Sequence, residues 1–276
     1  MRPGKEYVER LLGELPEGPF KTIYFGGGTP ALCDLSPLLE RLEAPEWTVE
    51  LHPLDVRREL LEQLKAGGVN RISMGVQSFN DDTLRDMGRG YTVKEAREAF
   101  GLVREYFDNA GIDLIVGYPG DEWEPENWGF KHCSVYSLIY EPESILARQG
   151  RAVPGDDDVM DRLKAVGAKL AEWGLRRYEI SSYAVPGYEC RHNLAVWKGE
   201  DYLGIGDGAV SGLKRPASER ILKLRTYLGL DESEVGEHKE KLDFYVKEGL
   251  LKKEGTRYTL TQRGTEVCDS ILAELV

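Results

Sequence analysis

Between residues 20 and 140 the chain repeats one pattern: a short run of β-branched and aromatic residues, a polar or glycine-rich break, then an amphipathic stretch. Thr22–Phe25, Trp47–Leu51, Arg71–Val76, Ile112–Val116 and Ser134–Ile139 read as strands. Leu35–Leu42, Arg57–Ala66, Asp81–Met87 and Val93–Asp108 read as the helices between them. Gly67-Gly68 stops the second helix and Thr92 caps the last. Strands separated by helices cannot close as tight hairpins. The order therefore predicts an α/β chain, a parallel sheet or barrel of βα units. A helix over residues 5–15 precedes it, with Tyr7, Val8, Leu11, Leu12 and Leu15 at helical spacing.

Past residue 140 the pattern changes. Asp157–Trp173 reads as a helix, Arg177–Ser182 as a strand and Pro186–Gly212, rich in Gly, Tyr and Trp, as irregular. The tail has helical runs at 219–228 and 237–248, a β segment at Arg257–Leu260 and a last helix over 261–275, a winged-helix-like order. Three parts are expected: 1–145, an incomplete barrel; 146–215, a mixed α/β extension; and 216–276, an α-rich winged-helix-like domain. A net charge of −12, and tail helices with as many acids as bases, argue against a nucleic-acid partner. No apolar run approaches the roughly 20 residues of a transmembrane segment, and Met1–Lys5 has no apolar leader. A cytoplasmic chain is expected. The four cysteines, Cys33, Cys133, Cys190 and Cys268, are isolated, form no CxxC pair and read as small apolar residues or free thiols.

Polar residues gather where predicted strands end. Gly26, Gly27 and Gly28, followed by Thr29, let the backbone approach a ligand closely, although the run is neither a P-loop nor GxGxxG. A tight turn is the plainer reading. Glu50 closes the second strand, Gln77 the third, Asp113 lies in the fourth and Arg89 follows in a loop. In βα barrels ligands sit at the C-terminal strand ends. The two carboxylates could take the ammonium or hydroxyls of a zwitterionic, ribose-bearing ligand, and Arg89 its carboxylate. Caps and surface ion pairs are the structural alternative for each residue.

Five segments together are more specific. Tyr24-Phe-Gly-Gly-Gly-Thr-Pro, Gly75-Val-Gln-Ser-Phe, Asp113-Leu-Ile-Val-Gly-Tyr-Pro-Gly, Tyr178-Glu-Ile-Ser-Ser-Tyr-Ala-Val-Pro-Gly and Cys190-Arg-His-Asn-Leu-Ala-Val-Trp occur in that order. With Asp201-Tyr-Leu-Gly-Ile-Gly-Asp-Gly-Ala, they resemble the radical-SAM oxygen-independent coproporphyrinogen III oxidases, and among these the HemW haem-chaperone branch. The resemblance runs from about residue 5 to the end. It implies a partial (β/α) TIM-like barrel. It also implies an S-adenosylmethionine pocket made by Gly26, Gly27, Gly28, Thr29, Glu50, Gln77, Arg89 and Asp113, and a haem-associated role for His192. Tetrapyrrole or haem is the implied substrate or cargo, with a haem-recipient protein as partner.

Three departures qualify it. The family's CxxxCxxC loop, whose thiolates hold a [4Fe–4S] cluster, has no counterpart in the chain. Asp121–His132 is short and contains Pro125 where the family has room for a helix, and Val196 replaces the usual aromatic beside the haem-associated motif. A piece of a longer protein, a start codon set too late and a homologue that has lost its cluster loop all fit. The expectation is therefore a haem-binding or haem-delivering protein with a retained S-adenosylmethionine pocket. The alternative is a non-catalytic relic or a shortened radical-SAM oxidoreductase.

Overall fold

The computed structural model describes residues 4–275 apart from 122, 141–144, 149, 151, 153 and 214–216. The chain divides into two compact units: residues 1–176 with 181–188, and residues 177–180 with 189–276. Residues 146–215, read from sequence as one extension, are shared between them.

The first unit is built on β1 (Thr22–Phe25), β2 (Glu46–Leu51), β3 (Arg71–Gln77), β4 (Ala110–Val116) and β5 (His132–Ser137), which pair in that order, all parallel. The sheet continues through β7 (Ser182–Ala184), antiparallel to β5, to β6 (Arg176–Arg177). Helix α1 (Lys5–Glu14) precedes β1; α2 (Ser36–Leu39), α3 (Arg58–Ala66), α4 (Asp81–Asp86) and α5 (Val93–Tyr106) fill the crossovers from β1 to β4, followed after β5 by the short α6 (Ile145–Arg148) and then α7 (Asp156–Glu172). The predicted α/β partial barrel is thus present. The Thr92 cap is a full capping box, with Glu95 N–H donating to its hydroxyl and its own N–H donating to the Glu95 carboxylate. Such a cap is worth about 1 kcal/mol.

Parallel strands covered on both faces usually read as unbroken apolar runs. These alternate, and the register explains why. Ile23, Trp47, Val49, Ile72, Met74, Ile112, Leu114, Cys133 and Val135 share one face, and all belong to the core that includes Leu60, Leu61 and Leu64 of α3 and Ala96, Phe100 and Val103 of α5. The other face carries Tyr24, Thr48, Glu50, Arg71, Ser73, Asp113, His132 and Ser134, in register across β1–β5.

The segment after Gly120 has no helix among its described residues. Aromatic side chains cover the core there. Phe79 packs edge-on to Trp128 at 5.0 Å and tilted against Trp123 at 5.6 Å. Phe100 touches Trp128 and Phe130, and Phe130 meets Trp173. The Arg104 guanidinium donates to the Trp128 carbonyl at 3.0 Å. Asp121 is fully buried and accepts from Ser78 Oγ at 3.1 Å, Thr83 Oγ1 at 2.7 Å and the Trp123 indole N–H. Burial pushes its carboxyl above the usual range, and the three donors pull the other way.

The second unit has its own core, including Ile221, Leu224, Leu242, Tyr258, Ile271 and Leu272. A small antiparallel sheet, β8 (Leu230–Asp231), β10 (Arg257–Leu260) and β9 (Leu251–Glu254) in that order, packs with α9 (Lys239–Lys247). The β9–β10 hairpin turns through Gly255-Thr256, with Gly255 at φ 61° in the position that requires positive φ.

Four sequence readings need correction. The strand read at Arg177–Ser182 is two short strands, because Glu179 leaves the sheet to bridge Thr226 and Ile180 joins the second core. The stretch read as irregular over Pro186–Gly212 contains helix α8 (Arg191–Trp197), hidden by its Gly- and Tyr-rich flanks. The run at 219–228 is a 3-10 helix over Ala217–Arg225. The last helix breaks at Val267, φ −119°, into α10 (Gln262–Glu266) and α11 (Cys268–Leu275). No helix among the described residues is long and apolar enough to cross a membrane.

Candidate functional site

Eight of the nine candidate residues lie in the first unit, seven near or beyond the C-terminal ends of β1–β3 and Asp113 midway along β4. His192 lies on α8 of the second unit and is half-buried. The glycine run leaves β1 with Gly27 at φ 70° and Gly28 at φ 43°, conformations only glycine takes freely. It folds back onto β2. Gly27 N–H donates to Glu50 Oε2 at 3.1 Å, and the Tyr24 hydroxyl donates to Glu50 Oε1 at 2.8 Å. A Cβ at Gly26 would lie 2.8 Å from the Tyr24 ring and 2.9 Å from the Glu50 carboxyl carbon. Gly26 is therefore bare because Glu50 occupies that space. Thr29 sits at the N-cap of a 3-10 turn over Pro30–Leu32 without capping it through its side chain.

Across the sheet, Glu50 is in register with Ser73, and Asp113 with both Gly75 and Ser134. The Ser73 hydroxyl lies 3.1 Å from each Asp113 oxygen. Burial pushes the Asp113 carboxyl up to about 6; hydrogen bonds from Ser134 and Ser73 and the Arg71 charge oppose this, while the Glu50 carboxylate adds to it. Arg71, 1% exposed, reaches Thr48 Oγ1 at 3.3 Å on the same face.

Gln77 is the non-glycine residue with positive φ, 72°, among the described residues, at a register shift between Gly75 and Gln77. Such a conformation costs of order 1 kcal/mol or more and marks sites where side-chain direction matters. A Cβ at Gly75 would lie 2.6 Å from Gln77 Nε2. Gly75→Ala should therefore displace Gln77 and weaken ligand binding about tenfold in a calorimetric titration with S-adenosylmethionine, with the melting temperature little changed. Unaltered affinity would remove Gln77 from the site.

Arg89 follows α4, its N–H bonded to the Leu84 carbonyl at 2.8 Å. Its Nε is buried without a hydrogen-bond partner, and its charge is felt by His52 and Tyr91. Tyr91 in turn bonds the Gly75 carbonyl at 2.9 Å, next to the shifted register. The arrangement thus presents two carboxylates, an amide, an under-bonded guanidinium and an open glycine backbone on one side of the sheet. That set fits a ligand with cationic, hydroxyl and carboxylate groups.

It does not fit an iron–sulfur cluster. Among the described residues no three His, Cys, Asp or Glu side chains could hold a metal ion together. Cys133, Cys190 and Cys268 are buried, and burial pushes the Cys133 thiol well above and the Cys268 thiol to about 11, the reverse of the thiolates a cluster needs.

Residues 3–127 match the model of the Radical SAM superfamily. Over 260 residues the chain is 35% identical to the haem chaperone HemW of Bacillus subtilis, with 83% of this chain and 69% of that protein covered. The chain belongs to the HemW family of radical SAM proteins. HemW of Lactococcus lactis is 31% identical over 286 residues, covering 92% of this chain and 76% of that one. For HemW of Escherichia coli the values are 34% over 247 residues, 80% and 65%. In fold, this HemW family member superposes on the Escherichia coli coproporphyrinogen III oxidase HemN, a radical SAM enzyme, with a TM-score of 0.74 at 21% identity, covering 92% of this chain and 77% of that one.

Tyr24, Ser73, Arg71 and Ser134 were not singled out from sequence. Ser73 and Ser134 face Glu50 and Asp113 in register, and Tyr24 and Arg71 face Thr48, which shares strand parity with Glu50.

Proposed function

We propose that this HemW family member binds S-adenosylmethionine at the C-terminal ends of β1–β4 and handles haem through its second unit. The observation that carries the first part is the shared face of Glu50, Ser73 and Asp113, with the glycine run bonded to Glu50. Glu50 and Asp113 would take the ligand's ammonium and ribose hydroxyls, Gln77 would add an amide, and Arg89 would take the carboxylate. Gly26, Gly27, Gly28 and Thr29 would supply backbone contacts. The described residues offer no ligands for an iron–sulfur cluster.

The haem role is supported by the relatives named haem chaperones and by His192 on α8, an imidazole suited to axial ligation. A haem-recipient protein is the corresponding partner, and the cytoplasm the corresponding compartment. The test is a haem titration followed by absorbance. A saturable Soret shift lost in His192→Ala is expected. No shift, or one indifferent to the substitution, would remove haem from His192.

A further inference from the structure

We infer that Tyr24 is a positioning residue for the ligand: its hydroxyl, with Gly27 N–H, clamps the Glu50 carboxylate in the orientation that receives S-adenosylmethionine. The inference rests on the reading of this site given above and adds to it a residue that contacts Glu50.

The geometry supporting it is specific. Glu50 has two carboxylate oxygens, and each accepts one bond from a different part of β1 or its loop: Oε1 from Tyr24 at 2.8 Å and Oε2 from Gly27 at 3.1 Å. A carboxylate has about four lone-pair sites, so two remain for a ligand once the donors have fixed the plane. Gly26 lies between the two donors, and its missing side chain leaves room for both the Tyr24 ring and the carboxyl group. Tyr24 stands on the polar face of the sheet, opposite Thr48 and away from the apolar face formed by Ile23 and Phe25. Burial, then the Glu50 and Asp113 charges, hold its hydroxyl protonated far above the usual tyrosine range, so it stays a donor at every working pH.

The test uses the full chain and isothermal titration with S-adenosylmethionine, on the parent, Tyr24→Phe, Glu50→Gln and the double variant. Tyr24→Phe keeps the ring and removes only the donor. A hydrogen bond to a charged group justifies an expected loss of about tenfold in affinity. In the Glu50→Gln background the same change should cost less than about twofold, because the carboxylate it positions is gone. Melting curves of Tyr24→Phe within a few degrees of the parent are expected alongside. If Glu50→Gln weakens binding and Tyr24→Phe does not, the clamp is overturned while the site stands. Equal losses from Tyr24→Phe in both backgrounds, or a variant that unfolds, would assign Tyr24 a structural role and overturn it too. A parent that fails to bind S-adenosylmethionine, or a Glu50→Gln that binds as the parent does, would overturn the site reading and the clamp together.

Discussion

Asp113→Asn should stabilise the folded chain at pH 7.5 by about 1–3 kcal/mol and at the same time weaken S-adenosylmethionine binding at least tenfold. The first effect follows from the sign of the shift. Burial raises the Asp113 carboxyl from the ordinary 3.8 to about 6, so the folded state holds this proton more tightly than the unfolded state does. The stability this group contributes is complete below about pH 4 and is lost as pH rises through about 6. Asparagine never ionises and escapes that loss. Urea unfolding should show the variant's advantage at pH 7.5 and its disappearance near pH 4. Some of the gain will be offset where Asn bonds Ser73 and Ser134 less well. The second effect follows from position, since Asp113 shares the ligand face with Ser73 and Glu50. A variant less stable than the parent at pH 7.5 would contradict the burial account of Asp113.

Trp128→Ala should cost about 3–5 kcal/mol in chemical denaturation, the range for truncating a large buried aromatic. Trp128 is 8% exposed, touches Phe79 and Phe100, lies under the Arg97 guanidinium and offers its carbonyl to Arg104. Its partners Phe100, Arg97 and Arg104 all lie on α5, a helix that cannot move far to fill the cavity. Trp123→Ala, at a half-buried position packed on Phe79, should cost less. A loss below about 1.5 kcal/mol for Trp128 would mean that the aromatic contacts do not replace a covering helix.

The parallel βα frame was legible because propensity and period agree over residues 20–116: Arg71–Val76 alternates and Val93–Asp108 is helical by every local measure. Glu50, Gln77 and Asp113 could be placed because strand ends are where such frames keep ligands. Legibility failed where tertiary contacts outrank local signals. Nothing in Tyr178-Glu179-Ile180 announces that this short stretch leaves one unit for the other; the bridge from Glu179 to Thr226 joins residues far apart in sequence. Helix α8 was lost among glycines and tyrosines. The Tyr24–Glu50 pair is 26 residues apart, so only the register of β1 against β2 brings it into view.

The alternating faces of β1–β5 also bear on how such a protein can change over time. Odd and even positions of each strand answer to different demands: Ile72, Met74, Ile112 and Leu114 to packing, Ser73, Gly75 and Asp113 to the ligand. Substitutions at the second set can retune or abandon a ligand while the fold persists. A lineage can therefore drift in chemistry without passing through unfolded ancestors. Single-residue insertions and deletions inside these strands have no such freedom, because one step of slippage exchanges the two sets and ruins both at once.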